Sequence, residues 1–263
     1  MSILNPFTPS NGSQSLVLAI RWLSKGPLKH AARKVGFQTL FLLCLYLMVG
    51  GGWIQAAEIP LSFGDLDQGI AKGWREQQFR ATDPTGYHLT EVAGEVVLEA
   101  DSRKQASGLV YEIEVDLARY PILVWRWKIE GVIPTGNALT KQGDDYPARV
   151  YVVFPHWFKP KTRSINYIWA NRLAPGEVVP NPFFDNARMM AVQSGNGLSG
   201  IWKMECRNVY QDYQQIFGEE PPQVGAIALM TDTDNTGSNA RAWYADIRLI
   251  TADKDADPSL YCP

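Results

Sequence analysis

The stretch ILVWRWKI, residues 122–129, decides the fold class of this chain. Side chains alternate between the two faces of an extended segment, so Trp125 and Trp127 share one face while Arg126 and Lys128 share the other. One apolar and one charged face at a period of two are typical of a strand that packs on a core with one side only. The stretch therefore predicts a β-strand rather than a helix.

The same kind of segment recurs on both sides of this stretch. These runs are rich in β-branched and aromatic residues and are bounded by Gly, Pro, Asn and Asp, as strands and turns are. They cover residues 94–100, 108–115, 149–154, 164–170, 187–193, 202–209, 224–231 and 242–250. So many short strands predict an all-β fold, a two-sheet β-sandwich or jelly roll.

One short helix is also predicted. Tyr210, Tyr213 and Phe217 share a face at helical spacing. Gly218 can end this helix, and the prolines at 221–222 prevent it from continuing. We expect the helix to cover one end of the sandwich.

Residues 1–57 differ from the rest of the chain because they hold five basic residues and no acidic one. An uncharged apolar run follows the basic part, and small residues stand at Ala56 and Ala57. This order is the pattern of a secretory signal peptide. The alternative is an uncleaved membrane anchor, because residues 37–54 are just long enough to span a bilayer. A start codon downstream of Met1 also stays open.

These features predict two parts, an N-terminal signal or anchor over residues 1–57 and a single β-sandwich domain over 58–263. The domain is expected in the periplasm of a Gram-negative bacterium, or alternatively anchored to the inner membrane and facing the periplasm. It keeps all 27 acidic residues but only 20 of the 25 basic ones, so its net charge is about −7. This charge argues against nucleic acid and against an anionic membrane surface as partners. Membrane contact is therefore expected only through an uncleaved N-terminal segment.

Several separated motifs occur in an order that resembles one bacterial family. They are LSF at 61–63, GW at 73–74, WRW at 125–127, GDD at 143–145, ARVY at 148–151, YIW at 167–169, RNV at 207–209, DY at 212–213, FG at 217–218, TDTDNT at 231–236 and YADI at 244–247. Together they resemble the family called domain of unknown function 3047, over nearly all of residues 58–250. The resemblance implies no particular activity.

A looser resemblance is to carbohydrate-binding jelly rolls. Those often begin with a Phe-rich strand and an early Gly-Trp, and end on a strand such as YADIRL, here residues 244–249. The resemblance implies a jelly roll and, by analogy of fold alone, a glycan ligand.

Charged residues within predicted strands are the first candidate site. Arg149 and Tyr151 share a face of one strand, and Lys203, Glu205 and Arg207 share a face of another. The pattern fits an ordinary solvated sheet face. It also fits a groove in which Arg, Tyr and Trp bind sugar rings and hydroxyls.

The tryptophans divide into two groups on the same reasoning. Trp125 and Trp127 are expected in the core, whereas Trp157 and Trp169 are the better candidates for the surface. We therefore include Trp169 among the candidate ligand-binding residues. Arg207 joins them from the charged strand face described above.

Two Asp-rich turns form the second candidate site. Asp144 and Asp145 precede a strand and are either turn residues or a pair of working carboxylates, one of which Arg149 could neutralise. Asp232, Asp234 and Asn235 follow a strand and are either Asx-turns or oxygen ligands for calcium. The helix-loop-helix calcium motif itself fails, because Trp243 stands where that motif needs Glu.

Other chemistry has little support in the residues. Only His88 and His156 follow residue 57, and no Gly-x-Ser-x-Gly motif occurs. Cys206 and Cys262 either form a disulfide in an oxidising compartment or stay separate thiols. A polysaccharide-acting enzyme would need two carboxylates at a defined separation. The candidates for such a pair are Asp144, Asp145, Asp212, Asp232 and Asp234.

The residues favour a non-catalytic periplasmic β-sandwich that binds a glycan or another component of the cell envelope. A polysaccharide-acting enzyme that uses the paired carboxylates is one alternative, and a structural envelope factor is another. Calcium is the only cofactor that the residues suggest.

Overall fold

The computed structural model describes residues 56–80 and 82–262. The predicted signal or anchor segment lies outside these residues except for Ala56 and Ala57. Within the described ranges, no helix combines the length and the apolar character needed to cross a bilayer.

The described residues form fifteen strands and one α-helix. The strands are β1 Glu58–Pro60, β2 Gly64–Asp65, β3 Gly69–Ile70, β4 Trp74–Gln78, β5 Gly86–Val92, β6 Glu95–Arg103, β7 Ala106–Val115, β8 Ile122–Ile129, β9 Ala148–Phe154, β10 Arg163–Ala170, β11 Val178–Pro180, β12 Ala187–Ser194, β13 Lys203–Asn208, β14 Val224–Asp232 and β15 Asn239–Ile250. The helix, α1, is Val209–Phe217, and short 3-10 turns lie at Lys141–Gly143, Lys159–Lys161 and Pro258–Tyr261.

Every predicted strand is present, as β6 to β10 and β12 to β15. Most of the strands that the sequence pattern missed are short or polar. β4 is an example, because four of its five residues are exposed and its apolar periodicity is therefore lost.

The strands form two large sheets. One has the order β13-β8-β15-β6-β5, with β1 also paired to β15. The other, the seven-stranded sheet, has the order β11-β12-β10-β9-β14-β7-β4, and its β10–β12 pair is parallel. β2 and β3 make a small hairpin.

Aromatic side chains join the two sheets into a sandwich. Trp125 of β8 lies 5.2 Å from Tyr167 of β10, and Trp127 lies 5.8 Å from Trp169, between ring centroids. All four side chains are fully buried. The two core tryptophans are confirmed, and so is the exposed Trp157. The prediction of Trp169 as a surface residue is wrong, because in β10 it has the same parity as Tyr167 and faces the other sheet.

The other side of β8 is a charged surface, as its alternation predicts. Arg126 forms ion pairs with Glu95 and Asp246. The Lys128 ammonium lies 4.1 Å from the ring centre of Trp243. These charges are paired within the sheet face, so this side of the sandwich has the character of an ordinary solvated face.

The predicted helix and its C-terminal end at Gly218 are confirmed, and the structure adds its N-terminal cap. The Asn208 side chain caps its N-terminus by accepting the Gln211 backbone N–H at 3.1 Å. Gly218 ends it in the left-handed conformation with φ of 74°. The Tyr213 ring packs 4.6 Å from Phe154, which docks α1 on the end of β9.

The C-terminal tail is tied to β13. Cys206 and Cys262 form a disulfide, with their Cα atoms 5.9 Å apart. The Asn208 amide also donates to the carbonyl oxygens of Lys254 and Ala256, both at 2.9 Å.

Candidate functional site

The outward side of the seven-stranded sheet carries an unusual set of polar residues. On β9, Val150 and Val152 point into the core, so Arg149 and Tyr151 point outward. Strand pairing places Asn166 beside Tyr151, and Met230 beside Arg149. Met189 of β12 continues the row beside Asn166. We call Arg149, Tyr151, Asn166, Met189 and Met230 the outer polar patch.

Hydrogen bonding in this patch is weak. Arg149 Nη2 and the Tyr151 hydroxyl donate to the Met230 sulfur at 3.2 and 3.4 Å, and Asn166 Nδ2 donates to the Met189 sulfur at 3.2 Å. Thioether sulfur is a poor acceptor.

Two atoms of the patch have no hydrogen-bond partner among the described residues. They are Arg149 Nε and Asn166 Oδ1, although the two residues are only 4% and 2% exposed. Buried polar atoms without a partner are rare and need an explanation.

The two Asp-rich turns of the sequence meet beside this patch. Asp145 is fully buried and accepts the backbone N–H of Thr236 at 2.6 Å and of Asn235 at 3.2 Å. Asp145, Asp232 and Asp234 each bring a carboxylate oxygen within 4.8 Å of the others. We call Asp144, Asp145, Asp232 and Asp234 the carboxylate cluster.

Arg149 links the cluster to the patch by an ion pair with Asp232. Asp144 is held differently, by the Tyr146 hydroxyl at 3.1 Å and the Asn181 amide at 2.8 Å. Arg149 therefore forms its ion pair with Asp232, and not with Asp144 or Asp145, which the sequence offered as partners. Pairing of β9 with β14 brings Arg149 beside Asp232, and separation along the chain cannot reveal that pairing.

Burial also overturns the solvated-face interpretation for Arg149. The side chains of Arg149 and Asp232 are 4% and 2% exposed. Burial raises the pKa of Asp232, and the adjacent Arg149 guanidinium opposes that rise. Partial burial raises the pKa of Asp234, and the neighbouring Asp145 carboxylate adds to the rise.

The calcium hypothesis rests on a changed set of residues. Asp232 and Asp234 lie together as proposed, but the third carboxylate is Asp145, and the Asn235 amide donates to it at 3.2 Å. Calcium binds six to eight oxygen atoms. Here Asp145 already accepts hydrogen bonds from Asn235 and Thr236, and Asp232 is paired with Arg149. Calcium binding stays a prediction.

Arg207 and Trp169 lie away from this site. Trp169 is in the core, and Arg207 is on β13 of the other sheet, where its Nε donates to Asp212 at 2.9 Å. Arg207 and Glu205 line a cleft of about 820 Å³ between β12 and β13. Glu205 accepts hydrogen bonds from Trp127 and Gln193, and burial raises its pKa.

The structure thus collects Asp144, Asp145, Arg149, Tyr151, Asp232, Asp234 and Asn235 in one region. Sequence reasoning missed Tyr146, Asn166, Asn181, Met189 and Met230. Asn166 had a usable signal, since it is a polar residue within the apolar run of β10. The methionines had none, because sulfur acceptors look like ordinary core residues in a sequence.

A family model described as "Protein of unknown function (DUF3047)" matches residues 72–248. The chain belongs to this family. The match confirms the resemblance that the sequence motifs indicated. It spans the whole outer polar patch and the whole carboxylate cluster. No curated protein matches the chain in sequence.

Among the solved structures, a carbohydrate binding module and two xyloglucanases are similar to this chain, with TM-scores between 0.37 and 0.41. A mutant of CBM29-2, a family 29 carbohydrate binding module, is 12% identical, with 78% of this chain and 99% of that one covered and a TM-score of 0.37. The xyloglucanase domain of NopAA from Sinorhizobium fredii is 9% identical, with 74% and 99% covered and a TM-score of 0.41. The family 12 xyloglucanase from Bacillus licheniformis is 7% identical, with 74% and 100% covered and a TM-score of 0.40. Similarity at this level assigns neither a ligand nor a reaction to this chain.

Proposed function

We propose that this chain binds a glycan of the cell envelope at the outer polar patch and does not change it chemically. The observation that carries the proposal is the set of polar atoms without adequate partners at Arg149, Tyr151 and Asn166. Because Arg149 Nε and Asn166 Oδ1 are closed to solvent, the ligand has to open the patch to reach them. A ligand that supplies those partners would remove the cost of burying them unpaired.

The chemistry of these atoms favours hydroxyl groups. Arg149 Nε and the Tyr151 hydroxyl need an acceptor, whereas Asn166 Oδ1 needs a donor. A hydroxyl serves as both, so a polyhydroxylated ligand can satisfy all three residues without carrying a charge. The carboxylates of the adjoining cluster offer further acceptors, as in hydrogen bonding of sugar hydroxyls to Asp.

One observation favours the alternative of a polysaccharide-acting enzyme. Burial raises the pKa of Asp234, which lies beside Asp145, and a carboxyl group that keeps its proton can serve as a general acid. Against this, both oxygens of Asp145 already accept hydrogen bonds from Asn235 and Thr236, which suits a structural role better than a catalytic one.

Glycan-array binding by the full chain tests the proposal. Tyr151→Phe is the most informative variant, because the hydroxyl that it removes bonds only a sulfur within the described residues. We expect an unchanged melting temperature and an affinity about tenfold lower, the value of one hydrogen bond. Asn166→Ala should lower affinity in the same way.

Glu112→Gln is the matched control, since Glu112 is on the outward side of β7 and pairs with the exposed Arg75. It should bind like the unmodified chain. An array without any binding would refute the proposal. So would binding by Tyr151→Phe and Asn166→Ala that is as strong as binding by the unmodified chain. Release of reducing ends from a bound polysaccharide would establish the enzyme instead.

The envelope setting of this proposal rests on the export pattern of residues 1–57. We propose that the chain is exported and acts in the periplasm. Fusion of alkaline phosphatase after residue 58 should give an active enzyme, since that reporter is active only outside the cytoplasm. An inactive fusion would contradict export, and a membrane-bound active fusion would indicate the anchored form.

A further inference from the structure

The turn between β9 and β10 projects an aromatic tip into solvent. Trp157 is 90% exposed and Phe158 is 48% exposed. The turn is ordered by hydrogen bonds, because the Phe158 N–H donates to His156 Nδ1 at 3.0 Å and the Lys161 N–H donates to the Phe158 carbonyl at 2.8 Å. Two large apolar side chains are thus held in water by a fixed backbone, which is unusual without a partner.

A second loop places two more aromatic residues at the same end of the sheet. Phe183 is 55% exposed and Phe184 is 42% exposed in the loop that leads into β12. Both loops precede strands of the parallel β10–β12 pair, so they lie at one end. The Asn186 amide joins them by donating to the Pro160 carbonyl at 2.7 Å. We call residues 155–162 and 181–186 the aromatic end.

The charge of the aromatic end opposes that of the rest of the domain. Lys159 and Lys161 are exposed on the first loop, and the Lys141 ammonium lies 5.3 Å from the ring centre of Phe183. Asp185 is the only acidic residue in the two loops. Residues 58–263 carry about −7 in total, and Glu219 and Glu220 share a cleft with Lys161, so the excess of lysine is confined to the two loops themselves.

We infer that the aromatic end docks on an anionic phospholipid surface. Aromatic side chains settle at the level of lipid headgroups, and lysines beside them bind the lipid phosphates while their alkyl stems cover apolar surface. This revises the expectation that only the N-terminal segment touches a membrane. The inference does not depend on the glycan proposal, since the aromatic end shares no residue with the outer polar patch.

Sugar stacking is another use of exposed aromatic rings. The lysines distinguish a sugar from a lipid surface as the ligand. They add little to the binding of a neutral sugar, whereas each lysine strengthens binding to an anionic surface about fivefold. Two exposed lysines between four exposed aromatic residues therefore favour the lipid surface. Sugar binding by these loops is kept as an outcome of the test.

An environment-sensitive fluorophore on Phe158→Cys reports on this surface in the full chain. Cys44→Ala removes the other reactive thiol, and the disulfide of Cys206 and Cys262 is left oxidised during labelling. Vesicles of phosphatidylglycerol with phosphatidylcholine should shift the emission to the blue, whereas pure phosphatidylcholine should not. Adding Lys159→Gln and Lys161→Gln should lower the ratio of shifted to unshifted probe about 25-fold.

Leu198→Cys is the matched control, because Leu198 is also an exposed apolar residue but lies after β12, at the opposite end of the strand. Its probe should not respond to either kind of vesicle. Equal responses at both positions, or a response at Phe158→Cys that ignores lipid charge, would overturn the inference. A probe that responds to soluble glycans and not to vesicles would replace it with sugar binding.

Discussion

The buried ion pair between Arg149 and Asp232 should dominate the stability of the outer face. Asp232→Asn removes the negative charge but keeps an oxygen for the Tyr146 N–H, which now donates to Asp232 at 3.2 Å. Arg149 is then a cation that is 4% exposed and has no carboxylate partner. Breaking a buried pair in this way costs about 3–5 kcal/mol of unfolding free energy.

A double-mutant cycle measured by urea unfolding at neutral pH gives the coupling directly. Arg149→Met should also cost about 3–5 kcal/mol, since it leaves the Asp232 carboxylate buried and unpaired. The double variant, Arg149→Met with Asp232→Asn, should be no less stable than either single variant, which corresponds to a coupling of at least about 3 kcal/mol. An equal slope of unfolding free energy against urea concentration in the unmodified chain and the three variants would show that their unfolded states are comparable.

The exposed pair of Arg75 and Glu112 provides the control. Its side chains are 58% and 72% exposed, so solvent screens the pair and its removal should leave stability unchanged. A cost below about 1 kcal/mol for Asp232→Asn, or no coupling in the cycle, would refute the claim that the Arg149–Asp232 pair is buried and ionised.

Four further predictions follow from other parts of the fold. Gly218→Ala should lower the unfolding free energy by about 1 kcal/mol in a urea titration, because an L side chain is strained at φ of 74° although no atom lies close enough to clash. Replacing Cys206 and Cys262 with Ser should cost about 2–4 kcal/mol under oxidising conditions and nothing under reducing ones, the range expected for a disulfide that closes a loop of this length. Burial raises the pKa of Glu205, so folding favours its protonated form, and stability is lost as the pH rises through that pKa. The melting temperature of Glu205→Gln should therefore be higher than that of the unmodified chain at neutral pH and equal to it in acid. A difference in melting temperature that stays constant across pH would contradict this. The calcium hypothesis predicts that calcium raises the melting temperature and that Asp234→Asn removes the rise, whereas identical melting in calcium and in chelator counts against it.

Alternation along single strands was readable from the sequence because it depends only on local backbone geometry. β8 shows this, since the burial of Trp125 and Trp127 and the position of Arg126 on the opposite face follow from a period of two. Helix α1 was readable for a similar reason, as the spacing of its aromatic face and its terminal Gly218 are local features. Both signals lie within a few residues of the element that they define.

Partnerships between strands were beyond the sequence. Trp169 was misplaced because the face of β10 that turns inward depends on which sheet packs against it. The partner of Arg149 was misassigned because β9 pairs with β14, more than seventy residues further along the chain. Neither choice leaves a trace in local composition, since it is set by which apolar faces meet.

The sequence by itself determined the β class, the family and the residue types of the candidate site, because side-chain periodicity and motif order are properties of the chain. Only the tertiary structure decided that the two Asp-rich turns meet, that Arg149 is buried against Asp232 and that Asn166 lies beside Tyr151. The physical reason is that hydrogen bonding between distant strands fixes those neighbours, and burial then determines which polar atoms are left without partners.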